Sequence, residues 1–137
     1  MRAVLDPNVI ISGPLAPGGA PANILRSWLE GRFELIASDQ LLAELKRATQ
    51  YPKLAERIPS EDVDELIALI RRTAQMTTDP ADPPVTRSRD PHDDYIIALA
   101  AETRSAIVSG DRDLLTLSDA LPVYSPVAFL ALIDEAR

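Results

Sequence analysis

Short apolar runs that end near a carboxylate, each followed by a segment of helical pattern, recur along this chain. Ala3, Val4 and Leu5 run into Asp6, and a run from Ala106 to Ser109 leads through Gly110 to Asp111. Two further acids fall on the intervening helices. At 100° per residue Glu44 lies beside the apolar stripe of Leu41, Leu45 and Ala48, while Asp94 opens a helix that is otherwise almost wholly apolar from Tyr95 to Ala101. The alternation of strand and helix favours an α/β fold of three layers, a central, mostly parallel sheet flanked by helices. In such a sheet the strand ends share one edge, where open α/β folds place their ligands.

Asp6, Glu44, Asp94 and Asp111 are therefore expected to converge there. Carboxylates crowded together raise one another's pKa unless a cation sits between them. A ligand set made only of oxygen points to Mg²⁺ or Mn²⁺.

The remaining elements follow from punctuation. Val9, Ile10 and Ile11 either extend the first strand or turn into the next element, and Gly13 to Pro21 has the composition of a loop. A helix is expected from about Ala22 to Glu30, closed by Gly31, then a strand from Phe33 to Ala37. Ser38 or Asp39 caps a helix reaching about Thr49, and Ser60 is expected to cap a helix with acids in its first turn and Arg71 and Arg72 in its last. A weak edge strand at Ala74 to Thr77 precedes a proline-rich connection from Asp79 to Pro91. A helix from about Asp93 to Thr103, a helical turn after Asp113, a strand at Val123 and Tyr124 and a helix from Pro126 to Ala136 complete the chain.

The 137 residues fit one domain, large enough for a real core. No stretch approaches the roughly 20 apolar residues that span a bilayer, and the N-terminus reaches Asp6 too early for a signal peptide, so a cytoplasmic protein without a membrane association is expected. The absence of cysteine excludes disulfides, thiolate nucleophiles and cysteine-based zinc sites. A net charge of −7, from 14 Lys and Arg against 21 Asp and Glu, argues against broad affinity for nucleic acid. It leaves open an RNA substrate held at a cation-bearing crevice, because bound divalent ions invert the local field.

Each acid also has a structural reading. Asp-Pro at Asp6 is a common turn start, Glu44 can be satisfied by a salt bridge, and Asp94 or Asp93 can serve the first-turn dipole, one as cap and the other as ligand. Asp111 and Asp113, two residues apart in a turn, can share a cation or cap a helix. His92, flanked by acids in a polar loop and without a nucleophile elbow, reads as solvated, and Trp28 as core.

Taken in order, Val4-Leu5-Asp6-Pro7-Asn8-Val9-Ile10, Leu41-Leu42-Ala43-Glu44-Leu45, Asp90-Pro91-His92-Asp93-Asp94-Tyr95-Ile96-Ile97-Ala98-Leu99-Ala100 and Val108-Ser109-Gly110-Asp111-Arg112-Asp113-Leu114-Leu115 resemble the four acidic motifs of PIN domains. The closing Val123-Tyr124-Ser125-Pro126-Val127-Ala128-Phe129-Leu130 is similar to the last strand and helix of the VapC-like PIN toxins of bacterial toxin–antitoxin pairs. The resemblance covers essentially the whole chain. It implies Mg²⁺ or Mn²⁺ at the acidic crevice, endoribonuclease activity, a homodimer and a cognate antitoxin as partner. By position it makes Asp6, Glu44, Asp94 and Asp111 the metal-binding acids, with Asp113 and Asn8 assisting.

The departure from the family pattern is Pro7, which stands where a small hydroxyl residue is usual and supplies neither a hydroxyl nor a backbone N–H. A PIN fold that binds without cleaving is therefore the alternative. Metal-assisted hydrolysis needs no side-chain nucleophile. Arg87, Arg89 and Arg112 lie beside the acidic motifs, where they either hold phosphates or balance charge. A phospho-acceptor receiver domain would also group acids around Mg²⁺, but it needs a late lysine and the only lysines are Lys46 and Lys53. A phosphatase of the haloacid-dehalogenase type would use Asp6 as nucleophile, but Asn8 replaces its second acid.

Overall fold

In a computed structural model describing residues 1–136, five parallel strands form one sheet in the order β3-β2-β1-β4-β5. The strands are β1 (Arg2–Leu5), β2 (Glu34–Ala37), β3 (Gln75–Met76), β4 (Ala106–Val108) and β5 (Val123–Tyr124). The helices are α1 (Pro7–Leu15), α2 (Ala20–Leu29), α3 (Asp39–Thr49), α4 (Pro52–Ala55), α5 (Ser60–Thr73), α6 (Asp94–Thr103), α7 (Arg112–Leu115) and α8 (Pro126–Glu135). The three-layer α/β architecture expected from the strand–helix alternation is present.

β1 is the central strand, and its apolar residues Ala3, Val4 and Leu5 are fully buried. Both neighbours pair with it in register, Val4 opposite Ile36 on one side and Ile107 on the other. A strand buried on both faces needs a continuous apolar run, which this one has. Leu35, Ile36, Leu41, Leu45, Ile96, Ile97 and Leu99 carry the core outward from the sheet. At the far side Phe129 of α8 is fully buried and meets Phe33 edge-on, ring centroids 5.2 Å apart.

Local differences from the sequence reading have physical causes. Val9, Ile10 and Ile11 turn into α1 and do not extend β1, and Gly13 to Leu15, expected in a loop, lie in that helix. The Asp6 side chain caps α1 by accepting the Asn8 N–H, and Pro7 occupies the first helical position, where a missing N–H costs nothing. Ser38, one of two candidates, caps α3 by accepting the Leu41 N–H. Ser60 does not cap α5 but is its first residue, following Pro59, and no side chain caps that end. Gly31, just after α2, has φ of +80°, the left-handed conformation that glycine adopts without a Cβ penalty.

Candidate functional site

Asp6 leaves β1, and Asp111 follows β4, at the carboxyl ends of adjacent parallel strands. Asp6 is 5% exposed, and both its oxygens are engaged: one accepts the Asn8 N–H at 3.0 Å, the other the Ser109 hydroxyl at 2.7 Å. The Ser109 oxygen in turn accepts the Asp111 N–H at 3.0 Å. Asp111 caps the short α7 by accepting the Asp113 N–H at 2.9 Å. Burial pushes the Asp6 carboxyl above the usual range; the Asn8 and Ser109 hydrogen bonds oppose that shift, and the Asp111 charge adds to it.

Asp90, Asp93 and Asp113 bring carboxylate oxygens within 4.8 Å of one another, close enough to hold one metal ion. Asp93 is the focus of the field. Its carboxyl is pushed up to about 7, first by burial and then by the charges of Asp111, Asp6, Asp90 and Asp113. One of its oxygens, Oδ2, is buried without a hydrogen-bond partner. A buried carboxylate oxygen left unpaired is costly, and such atoms normally find a donor or a cation. The donor set therefore fits a hard divalent ion, with Asp90, Asp93 and Asp113 as the group that would hold it.

The sequence reading placed Asp94 in this role, and the structure puts its carboxylate elsewhere. One oxygen of Asp94 accepts the Ser88 N–H at 3.0 Å and the other faces the Arg87 guanidinium at 3.4 Å. A single 3-10 turn, Pro91–Asp93, precedes α6 and brings Asp93 to the acidic edge. Asp93 takes the N-cap position of α6 but makes no side-chain cap bond, so the expected division into cap and ligand is not what the chain adopts. Apart from its place in the motif, the sequence signal that singles out Asp93 is the Asp90-Pro91 turn start three residues earlier.

Glu44, on the half-buried side of α3, pairs with Arg47 one turn along and does not join the three converging carboxylates. It nevertheless faces the same region: the Tyr95 phenol, pushed above its usual range first by burial, also feels Asp6, Glu44, Asp93 and Asp79. Asn8 is exposed, its N–H on Asp6 and its carbonyl accepting the Ser12 hydroxyl. Arg89 and Arg112 are exposed, and among the described residues neither forms an ion pair. Ser109 and Asp90 are site residues that sequence reasoning passed over.

A concavity of about 750 Å³ lies at the opposite end of the strands among Met1, Arg32, Glu34 and Gln75, away from these acids. Its walls contain no grouping of carboxylates, so the chemistry of the carboxyl edge and not the size of a cavity identifies the site.

A family model described as a PIN domain matches residues 2–113, from the start of β1 to Asp113. The chain belongs to the PIN-domain family. An uncharacterized protein of Methanocaldococcus jannaschii is 29% identical to this PIN domain over 119 residues, covering 87% of the chain and 76% of the relative. The solved structure of PAE2754 from Pyrobaculum aerophilum shares the fold, with a TM-score of 0.66 at 14% identity over 98% of this chain and 90% of that one. So does VapBC2 from Rickettsia felis, solved bound to a DNA fragment from their promoter: TM-score 0.60, 12% identity, 91% of this chain and 98% of that one. FitAcB from Neisseria gonorrhoeae gives a TM-score of 0.59 at 21% identity over the same shares, 91% and 98%.

Proposed function

We propose that this PIN domain is a Mg²⁺- or Mn²⁺-dependent endoribonuclease that cuts single-stranded RNA, the toxin of a toxin–antitoxin pair. The buried, unpartnered Oδ2 of Asp93 at the centre of the acidic edge carries this reading. Family membership supports a nuclease, and the shared fold of the VapBC2 and FitAcB chains supports the toxin role, with an antitoxin protein as partner, a homodimer as the assembly and the cytoplasm as its place. Among the described residues no helix is long and apolar enough to cross a membrane.

Asp93 would hold the ion with Asp90 and Asp113, while Asp6 and Asp111 lie near enough for their charges to raise the Asp93 carboxyl and Glu44 acts on Tyr95 from α3. When bound, the ion acidifies a water and stabilises charge on the scissile phosphate. Asp6 is fixed by the Asn8 N–H and the Ser109 hydroxyl, so its carboxylate is oriented before substrate arrives. With its carboxyl pushed up to about 7, Asp93 would have to lose its remaining proton to hold a cation. Arg89, Arg112 and Asn8 are exposed beside the acids and would receive the flanking phosphates. A net charge of −7 leaves little surface for a duplex, which favours a single strand held at the metal-bearing edge.

The decisive experiment is cleavage of an unstructured RNA by the purified protein with Mn²⁺ or Mg²⁺, its arrest by EDTA, and duplex DNA as control. Uncut RNA under every metal condition would remove the nuclease reading.

A second reading, a PIN fold that binds without cleaving, rests on Pro7. The residue is buried at the first position of α1 and brings no hydroxyl to the acidic edge.

A further inference from the structure

Three carboxyl groups do not keep oxygens within 4.8 Å of one another unless the backbone holds them there. Asp93 and Asp113 are held by the starts of α6 and α7. Asp90 belongs to no helix or strand and is brought in by the connection that ends the proline-rich stretch. How that connection is secured decides whether the third carboxylate is in place.

Its bonds form a continuous chain. Arg87 donates from Nε to the Pro84 carbonyl at 2.9 Å. The Ser88 hydroxyl accepts the Asp90 N–H at 3.2 Å, Asp90 accepts the His92 N–H at 3.0 Å through Oδ1, and the Asp90 carbonyl accepts the Asp93 N–H at 3.0 Å. The N-terminal end of this arch, Arg87 and Ser88, is tied to the Asp94 side chain. Its Oδ1 accepts the N–H of Ser88, itself only 8% exposed, and its Oδ2 faces Arg87. Asp90 Oδ1 accepts the His92 N–H within the arch, and the same carboxylate contributes an oxygen to the group.

We propose that Asp94 is a positioning residue: it latches the 87–90 segment onto the start of α6 and thereby presents Asp90 as the third carboxylate ligand beside Asp93 and Asp113. This rests on the metal centre proposed above and assigns its residues. The two functions of a carboxylate separate here. A ligand acts through its charge on the ion, whereas the latch acts through one acceptor oxygen on the Ser88 N–H. The Arg87 contact, with a half-exposed guanidinium at 3.4 Å, adds little. An asparagine at 94 retains the acceptor oxygen and loses only the charge. An asparagine at 90 loses the charge that a ligand needs.

The test is Mn²⁺ binding to the full chain, read by the electron paramagnetic resonance signal of free Mn²⁺ and by the shift in melting temperature, for wild type, Asp90→Asn, Asp94→Asn and Asp94→Ala. We expect Asp94→Asn to stay within about threefold of wild type, and Asp90→Asn and Asp94→Ala each to bind about 10-fold more weakly, the scale of losing a supporting or ligating group. Trypsin should cut after Arg87 and Arg89 faster in Asp94→Ala than in Asp94→Asn. The latch is overturned if wild type binds Mn²⁺ while Asp90→Asn binds equally well, or if Asp94→Asn loses as much affinity as Asp90→Asn. If wild type takes up no Mn²⁺, the metal-dependent reading falls and the latch with it. Asp94→Ala binding Mn²⁺ as tightly as wild type also overturns the latch; should that variant fail to fold, Ser88→Pro, which removes the N–H that Asp94 accepts, takes its place with the same expected loss.

Discussion

The hydroxyl of Ser109 donates to Asp6 at 2.7 Å across 103 residues of sequence. The same oxygen accepts the Asp111 N–H, so one buried serine at the end of β4 fixes the carboxylate after β1 and starts the turn carrying the second acidic pair. The parallel pairing of Leu5 with Val108 makes this possible, because it brings the two strand ends level.

Ser109→Ala should therefore do more than remove a hydroxyl. It leaves a buried oxygen of Asp6 without its donor, a loss of about 1–3 kcal/mol. It also removes a hydrogen bond that opposes the upward shift of the Asp6 carboxyl. The expected result is a melting temperature several degrees lower, with Ser109→Thr recovering much of it. An unchanged melting temperature for Ser109→Ala would show that the bond contributes nothing.

Asp93→Asn is expected to behave in the opposite sense. Asp93 makes no cap bond, leaves an oxygen unpaired and sits in the field of Asp6, Asp90, Asp111 and Asp113. Removing its charge relieves that repulsion, so at pH 8 the metal-free variant should melt no lower than wild type, while its response to Mn²⁺ should largely vanish. Unfolding of Asp93→Asn in metal-free buffer would instead make Asp93 a structural residue.

How far the sequence led can be judged from these acids. Strand–helix alternation is a long-range pattern, and it announced the parallel sheet and the common edge of Asp6 and Asp111. The choice between Asp93 and Asp94 is local, because neighbouring residues on a helix differ by 100°, and the 3-10 turn at Pro91–Asp93 sets which of them faces inward. The Asp90-Pro91 pair marks the start of a turn there, but not which of the two following acids it turns inward. Ser109 was equally hidden, because its function depends on a strand pairing and not on its neighbours in sequence. The beginning of α1 was hidden for another reason: Val9, Ile10 and Ile11 are β-branched, and the Asp6 cap on the Asn8 N–H decides for the helix.

The pH dependence follows from Asp93. In the metal-free protein its carboxyl keeps its proton to about pH 7, whereas in the unfolded chain it releases it near the ordinary value of 3.8. The folded state thus binds more protons between these values, and this group's contribution to stability falls as pH rises through that window and is level above it. The raised Asp6 carboxyl acts in the same direction. The melting-temperature difference between Asp93→Asn and wild type should grow from pH 4 to 7. Apparent Mn²⁺ affinity should rise over the same range, because binding must displace the Asp93 proton. A Mn²⁺ affinity flat from pH 5 to 7.5 would contradict the placement of Asp93 at the ion.

Pro7 supplies the last prediction, because it separates cleavage from binding. The residue opens α1 next to Asp6, and its fixed φ and missing N–H suit that position. The helix start does not depend on the proline, since the cap bond runs from the Asn8 N–H to Asp6. Pro7→Thr should then fold with a melting temperature within a few degrees of wild type and restore a hydroxyl beside the buried carboxylate. If the acidic edge is a working nuclease, Pro7→Thr should cut unstructured RNA with Mn²⁺ at least as fast as wild type, and EDTA should stop both. If Pro7→Thr cuts and wild type does not, the proline alone silences a site that is otherwise complete. If both take up Mn²⁺ and neither cuts any single-stranded RNA, the acids hold an ion for binding and not for hydrolysis.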